Sequence, residues 1–189
     1  SAGYIDVNVG SRSPEFMAEL VAKIQGVTSK PLSIDTPDAD LARAGLEAYD
    51  PDRAGGQAPI LNSVTSLRAG MFDLSKIQPF RPILLVSEHV VDGRSRPCRT
   101  AEETYQAAKH LVREFHGRCP GAGNDDCIID PGIAPIGSDA EGNLHRLIAA
   151  MEMIHAAVDE DCTDCHNPHN SLRPKLLDHD TIDLCAQCH

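Results

Sequence analysis

Cysteine and histidine recur in one pattern late in the chain: Cys162-Thr163-Asp164-Cys165-His166 and Cys185-Ala186-Gln187-Cys188-His189. In C-x-x-C-H the two thiols add to the vinyl groups of a haem as thioethers, and the following imidazole becomes the proximal iron ligand. A single pentapeptide could be half of a zinc ribbon. Two of them 23 residues apart, each with His directly after the second Cys, fit haem better, because zinc sites do not demand that fifth residue twice. The spacing therefore implies two covalent c-type haems held by Cys162, Cys165, Cys185 and Cys188, with His166 and His189 as proximal ligands. Zinc or a redox dithiol pair is the alternative.

Axial ligation follows from supply. No methionine lies beyond Met153, whereas His169 and His179 lie between the motifs and His155 just upstream. His169 follows His166 by three residues, emerges on the proximal side of the first haem, and is assigned to the second. His179 is the favoured distal ligand of the first haem, with His155 next. His155 shares the apolar face of its helix with Ile148 and Met151, where a histidine is more often a satisfied core residue than a ligand. A neighbouring subunit could also supply a ligand. His89, His110, His116 and His145 read as surface or core residues. Bis-His iron has no open coordination site, which favours outer-sphere electron transfer at lower potential than His/Met ligation. His189 is the last residue of the sequence, so the edge of the second haem is expected to be an electron entry or exit point.

The rest of the chain must position these groups. Its 189 residues give room for one domain plus a small appendage. A net charge of −11 argues against nucleic acid and anionic membrane surfaces as partners, and suits redox partner proteins or extracellular acceptors. No apolar run is long enough to span a bilayer. Covalent haem is attached after export, so a signal peptide is inferred to have been removed, which makes the expected location periplasmic or extracellular. Three further cysteines remain. Cys119 and Cys127 flank the turn-rich Pro120–Asn124 and could close a short disulfide, leaving Cys98 unpaired, buried or bonded to another chain. Three reduced thiols is the other reading.

Residues 1–158 alternate strand-like and helix-like stretches. Strands are expected at Tyr4–Val9, Pro31–Asp35, Ile60–Val64, Ile83–Ser87 and Cys127–Asp130. Phe16, Leu20, Val21 and Ile24 mark a first helix. Thr36-Pro37 is expected to cap a second helix from Leu41 to Tyr49. Thr100-x-x-Glu103 is a capping box opening a third helix to about Phe115. Leu144, Ile148, Met151 and His155 are expected to share one apolar face of a last helix. Repeated β-α units predict an α/β fold with a parallel sheet of about five strands. Residues 159–189 form a separate segment with little regular structure of its own.

Four strand-end motifs carry a resemblance. Ile5-Asp6-Val7-Asn8-Val9-Gly10, Leu32-Ser33-Ile34-Asp35-Thr36, Ile60-Leu61-Asn62-Ser63-Val64 and Ile129-Asp130-Pro131-Gly132-Ile133-Ala134-Pro135 occur in the order seen in the pterin-binding family. That family includes dihydropteroate synthase and the methyltetrahydrofolate:corrinoid methyltransferases, all (β/α)8 barrels. By this resemblance, Asp35, Asn62 and Asp130 would contact a pterin ring. The pattern here begins at the family's second strand and stops after the helix following the sixth. Five strands cannot close such a barrel. The resemblance therefore implies an incomplete, barrel-derived sheet with two open edges and does not extend to pterin or folate as an expected cofactor. In the following segment, His166-Asn167-Pro168-His169-Asn170-Ser171 and then Leu176-Leu177 before the second motif resemble the doubled C-x-x-C-H modules of multihaem cytochromes.

Three functions are compatible with these features. The first is an exported dihaem electron-transfer protein on a broken barrel scaffold, with self-association through open sheet edges and the last haem as one version, giving a haem chain or filament. The second is an enzyme or sensor binding a pterin or other small molecule at the strand ends. The third is a haem redox enzyme with one open iron site, which the abundance of histidine disfavours.

Overall fold

A computed structural model describes residues 2–133 and 143–158. In chain order these form β1 (Ile5–Val7), α1 (Pro14–Gln25), β2 (Leu32–Asp35), α2 (Ala39–Ala48), β3 (Ile60–Val64), a kinked 3-10 stretch (Ser66–Lys76), β4 (Arg81–Leu85), β5 (Glu88–Val91), β6 (Arg94–Pro97), α3 (Ala101–Arg118), β7 (Ile128–Asp130) and α4 (Asn143–Val158). The expected parallel sheet is present, in the order β1-β2-β3-β4-β7. Among the described residues β1 forms one edge of the sheet and β7 the other. None of the described helices is long and apolar enough to cross a membrane.

The helices start where local chemistry satisfies their first amides. Ser13 Oγ accepts from Phe16 N, with Pro14 at the first helical position of α1. The cap of α2 is Asp38 and not Thr36. The Asp38 carboxylate accepts from Asp40 N at 2.8 Å and Leu41 N at 3.2 Å. Thr36 Oγ1 instead accepts from Asp38 N at 3.1 Å, closing a turn that leaves Pro37 outside the helix. The capping box of α3 forms as expected. Thr100 Oγ1 accepts from Glu103 N and Glu103 Oε2 accepts from Thr100 N, each at 3.1 Å. Thr100→Ala should therefore cost about 1 kcal/mol; an unchanged thermal midpoint in circular dichroism would show that the box contributes nothing.

The two faces of the sheet differ. Register places Val7, Ile34 and Leu61 in one row across β1–β3, on the same face as Leu32. Leu32, Ile34 and Leu61 are fully buried and join Met17, Val21, Leu41 and Leu46 of α1 and α2 in the main core. The opposite face carries Ser33, Asp35, Ile60, Asn62, Ile83, Leu85, Ile128 and Asp130. Ser33 and Ile60 are buried there, but the other six are only partly covered. This is the face that barrel closure would turn inward.

Three features depart from expectation. β5 and β6 form a hairpin through Asp92-Gly93, whose φ values of +52° and +72° suit a two-residue turn matched to strand twist. The expected Cys119–Cys127 disulfide is absent: Cys98, Cys119 and Cys127 are free thiols. Cys119 Sγ faces Phe72 O at 3.6 Å and Cys127 Sγ faces Asn124 O at 3.3 Å, so each thiol has its own carbonyl partner. The third concerns α4. It buries Leu147, Ala150 and Ile154, while Leu144, Ile148 and His155 are exposed and Met151 is half-buried. The helix is turned by its packing on α3, where Arg146 Nη1 donates to Thr104 Oγ1 at 2.6 Å.

Candidate functional site

The strand ends bring some of the expected polar residues together. Asp35 and Asn62 are register partners on β2 and β3. Asn8, just past β1, donates from Nδ2 to Asp35 Oδ2 at 2.7 Å, and its own Oδ1 accepts from Gly10 N at 2.8 Å. Asp130 stands apart: it is the partner of Leu85 on β4, so two strand spacings, about 10 Å, separate it from the β3 position. Its Oδ1 accepts from Gly132 N at 2.7 Å. Gly132 has φ +73°, and a Cβ there would lie 2.6 Å from Ser87 Cβ, so this turn accepts glycine alone. Asn8 and Asp35 are thus joined by a hydrogen bond, with Asn62 beside Asp35 in register, and Asp130 ends a separate turn.

Clefts also lie elsewhere. One of about 550 Å³ is lined by Lys76, Arg81 and Arg118, and another of about 650 Å³ by Tyr4, Lys30 and Arg81. Both open at the amino ends of the strands, opposite Asp35 and Asn62. A third, about 460 Å³, places His89, His110, Glu102 and Glu103 around one mouth. Sequence reading did not group these residues, because the hairpin that brings His89 to α3 was not anticipated. His89 Nδ1 lies 3.4 Å from Cys98 Sγ. Burial pushes the Cys98 thiol up, which opposes thiolate formation there. Among the described residues no group of three or more His, Cys, Asp or Glu could hold a metal ion.

Cys127 is held more strongly in the thiol form. Burial, with the Asp126 carboxylate adding, pushes it up to about 11 against the opposing Arg81 charge. A raised pKa keeps the proton on, so at pH 8 the native thiol should alkylate roughly a hundredfold more slowly than an unfolded one, rising as pH passes through about 11. Mass-spectrometric labelling at stepped pH measures this; equal rates in native and unfolded protein would refute it.

Cys162, Cys165, His166, His169, His179, Cys185, Cys188 and His189 lie outside the described residues. His155 lies within them, exposed near the end of α4 and on one line with the exposed Leu144 and Ile148. An exposed imidazole ending an apolar line suits a haem, which presents broad apolar faces around an iron that takes nitrogen ligands. The thiol pairs suit its vinyl groups. The residues present fit the group.

Residues 155–189 match the family model for a doubled CXXCH motif, under a fifth of the chain, and the match begins on His155. No curated protein matches the chain. The motifs imply covalently bound c-type haem, and their doubling is the mark of multihaem c-type cytochromes involved in electron transfer. The match does not reach the sheet, so the pterin-barrel resemblance rests on its four strand-end motifs alone.

Proposed function

We propose that this chain is an exported dihaem c-type cytochrome that carries out outer-sphere electron transfer, with the α/β domain as its structural platform. The observation that carries the reading is the pair of C-x-x-C-H motifs inside the matched segment. Bound haem supplies a one-electron iron couple. The chain supplies the thioethers at Cys162, Cys165, Cys185 and Cys188 and the proximal imidazoles His166 and His189. His169 serves the second iron, and His179 or His155 the first. In a chain of net charge −11, acidic surface steers basic redox partners toward it. In its assembled form the protein is a subunit of a periplasmic or extracellular haem chain or filament; negative-stain images of native material showing only compact monomers would remove that form.

Intact mass gives the number of covalent haems, and a visible redox titration repeated under carbon monoxide tests the ligation. Two low-spin haems of low potential that ignore carbon monoxide are expected. A high-spin haem that binds the gas would reveal an open iron site and shift the function to catalysis or gas sensing.

The row Asn8–Asp35–Asn62 favours a second reading, a pterin- or small-molecule-binding redox enzyme or sensor. Against it, the described residues supply no strand beyond β1 or β7 to wall a pocket, and Asn8 already occupies one Asp35 oxygen. Calorimetry with a folate that shows no tight binding removes this reading.

A further inference from the structure

α4 carries more apolar surface than its packing uses. Leu144, Ile148, Met151 and His155 recur at i, i+4, i+7 and i+11, which at 3.6 residues per turn keeps them within a strip roughly 60° wide. Leu144 is 44% and Ile148 52% exposed, beside the buried line of Leu147, Ala150 and Ile154. Glu152 and His145 border the strip on its outer side by the same geometry. At 1.5 Å per residue it runs about 16 Å along the helix.

We propose that this strip is the seat of the haem-bearing segment 159–189: the haem held by Cys162 and Cys165 lies with an apolar face on Leu144, Ile148 and Met151. The proposal rests on the haem reading above and adds where the haem sits. Connectivity supports it. α4 ends at Val158, and the four steps from there to Cys162 span at most about 14 Å, so a chain turning back brings Cys162 over His155 and Met151, within a porphyrin's breadth of Ile148 and Leu144. The segment's composition supports it independently. Its large aliphatic side chains are Leu172, Leu176, Leu177, Ile182 and Leu184, too few to cover two porphyrins. A second copy of the chain is the weaker occupant, because three partly exposed side chains fall far short of the roughly 800 Å² per partner that a stable interface buries.

The test uses the holoprotein and compares wild type with the L144E/I148E double variant, the milder Ile148→Ala, and Leu67→Glu, an exposed position on another element, as control. Intact mass counts covalent haem, Soret circular dichroism reads the haem surroundings, and trypsin probes Lys175, since Pro174 blocks cleavage after Arg173. The double variant should keep its haems and the far-ultraviolet melting of the α/β domain. It should lose the wild-type Soret dichroism and be cut after Lys175 roughly tenfold or more faster, because two carboxylates oppose an apolar face. Ile148→Ala should shift both readouts in the same direction by less, and the control should match wild type. Unchanged dichroism and cleavage in a haem-loaded double variant overturn the proposal alone. A wild-type dimer that the double variant dissolves in sedimentation gives the strip to a second copy and also overturns it. A haem-free wild type overturns the haem reading and this proposal together.

Discussion

Replacing Cys162 and Cys165 together with alanine should halve the covalent haem of the purified protein, and replacing Cys185 and Cys188 should remove the other half. Each C-x-x-C pair anchors one porphyrin through two thioethers, and the histidine that follows can hold iron without them only as a single reversible bond. The single-site His166→Ala and His189→Ala variants should keep the thioethers, lose one proximal ligand each, and convert one haem to a form that binds carbon monoxide. Intact mass and visible spectra separate the two classes of variant. Cysteine variants that retain full covalent haem, or wild type that carries zinc and no porphyrin, would sink the assignment. The quadruple cysteine variant should still show the melting of the α/β domain, since the described core draws on no residue beyond Ile154.

The second large effect is on that core. Phe115 of α3 and Phe72 of the 3-10 stretch are 2% and 0% exposed, with ring centroids 5.5 Å apart. Together they join α3 to the connection between β3 and β4, and Cys119 Sγ reaches Phe72 O from the end of the same helix. Phe115→Ala removes a fully packed ring and leaves a cavity that backbone on two sides cannot collapse into, at a cost of about 3–5 kcal/mol. For a domain of this size the thermal midpoint should fall by about 10 °C. A loss below about 1 kcal/mol in denaturant titration would mean that the ring is not the join described here.

The strands of the parallel sheet were legible because each is a short run of β-branched and aliphatic residues ending in a polar one, as at Ile60–Asn62 and Ile129–Asp130. The α3 capping box was legible because both of its halves are side chains at fixed spacing. The rotation of α4 was not. Leu144, Ile148 and Met151 make as good a helical stripe as Leu147, Ala150 and Ile154, and only the tertiary bond from Arg146 to Thr104 and the packing on α3 decide between them. The cap of α2 was misplaced by two residues because Thr36-Pro37 satisfies the same rule that Asp38 satisfies with a stronger acceptor. The hairpin had a readable signal in Val90-Val91-Asp92-Gly93, an Asp-Gly pair after β-branched residues. Of the candidate ligands, His155 alone falls within the described residues, and its place at the end of an exposed apolar line could be seen only once the helix rotation was known.

The edge strands β1 and β7 are only three residues long. A neighbouring chain that added itself to either would gain about three backbone hydrogen bonds at roughly 1 kcal/mol each. Losing the freedom to tumble separately costs more than that, about 4–15 kcal/mol. Such edges can steer two molecules into register but cannot hold them. Edge pairing alone would therefore not hold a chain of these molecules together. The same brevity keeps the rim of the sheet from becoming a template for uncontrolled β-stacking.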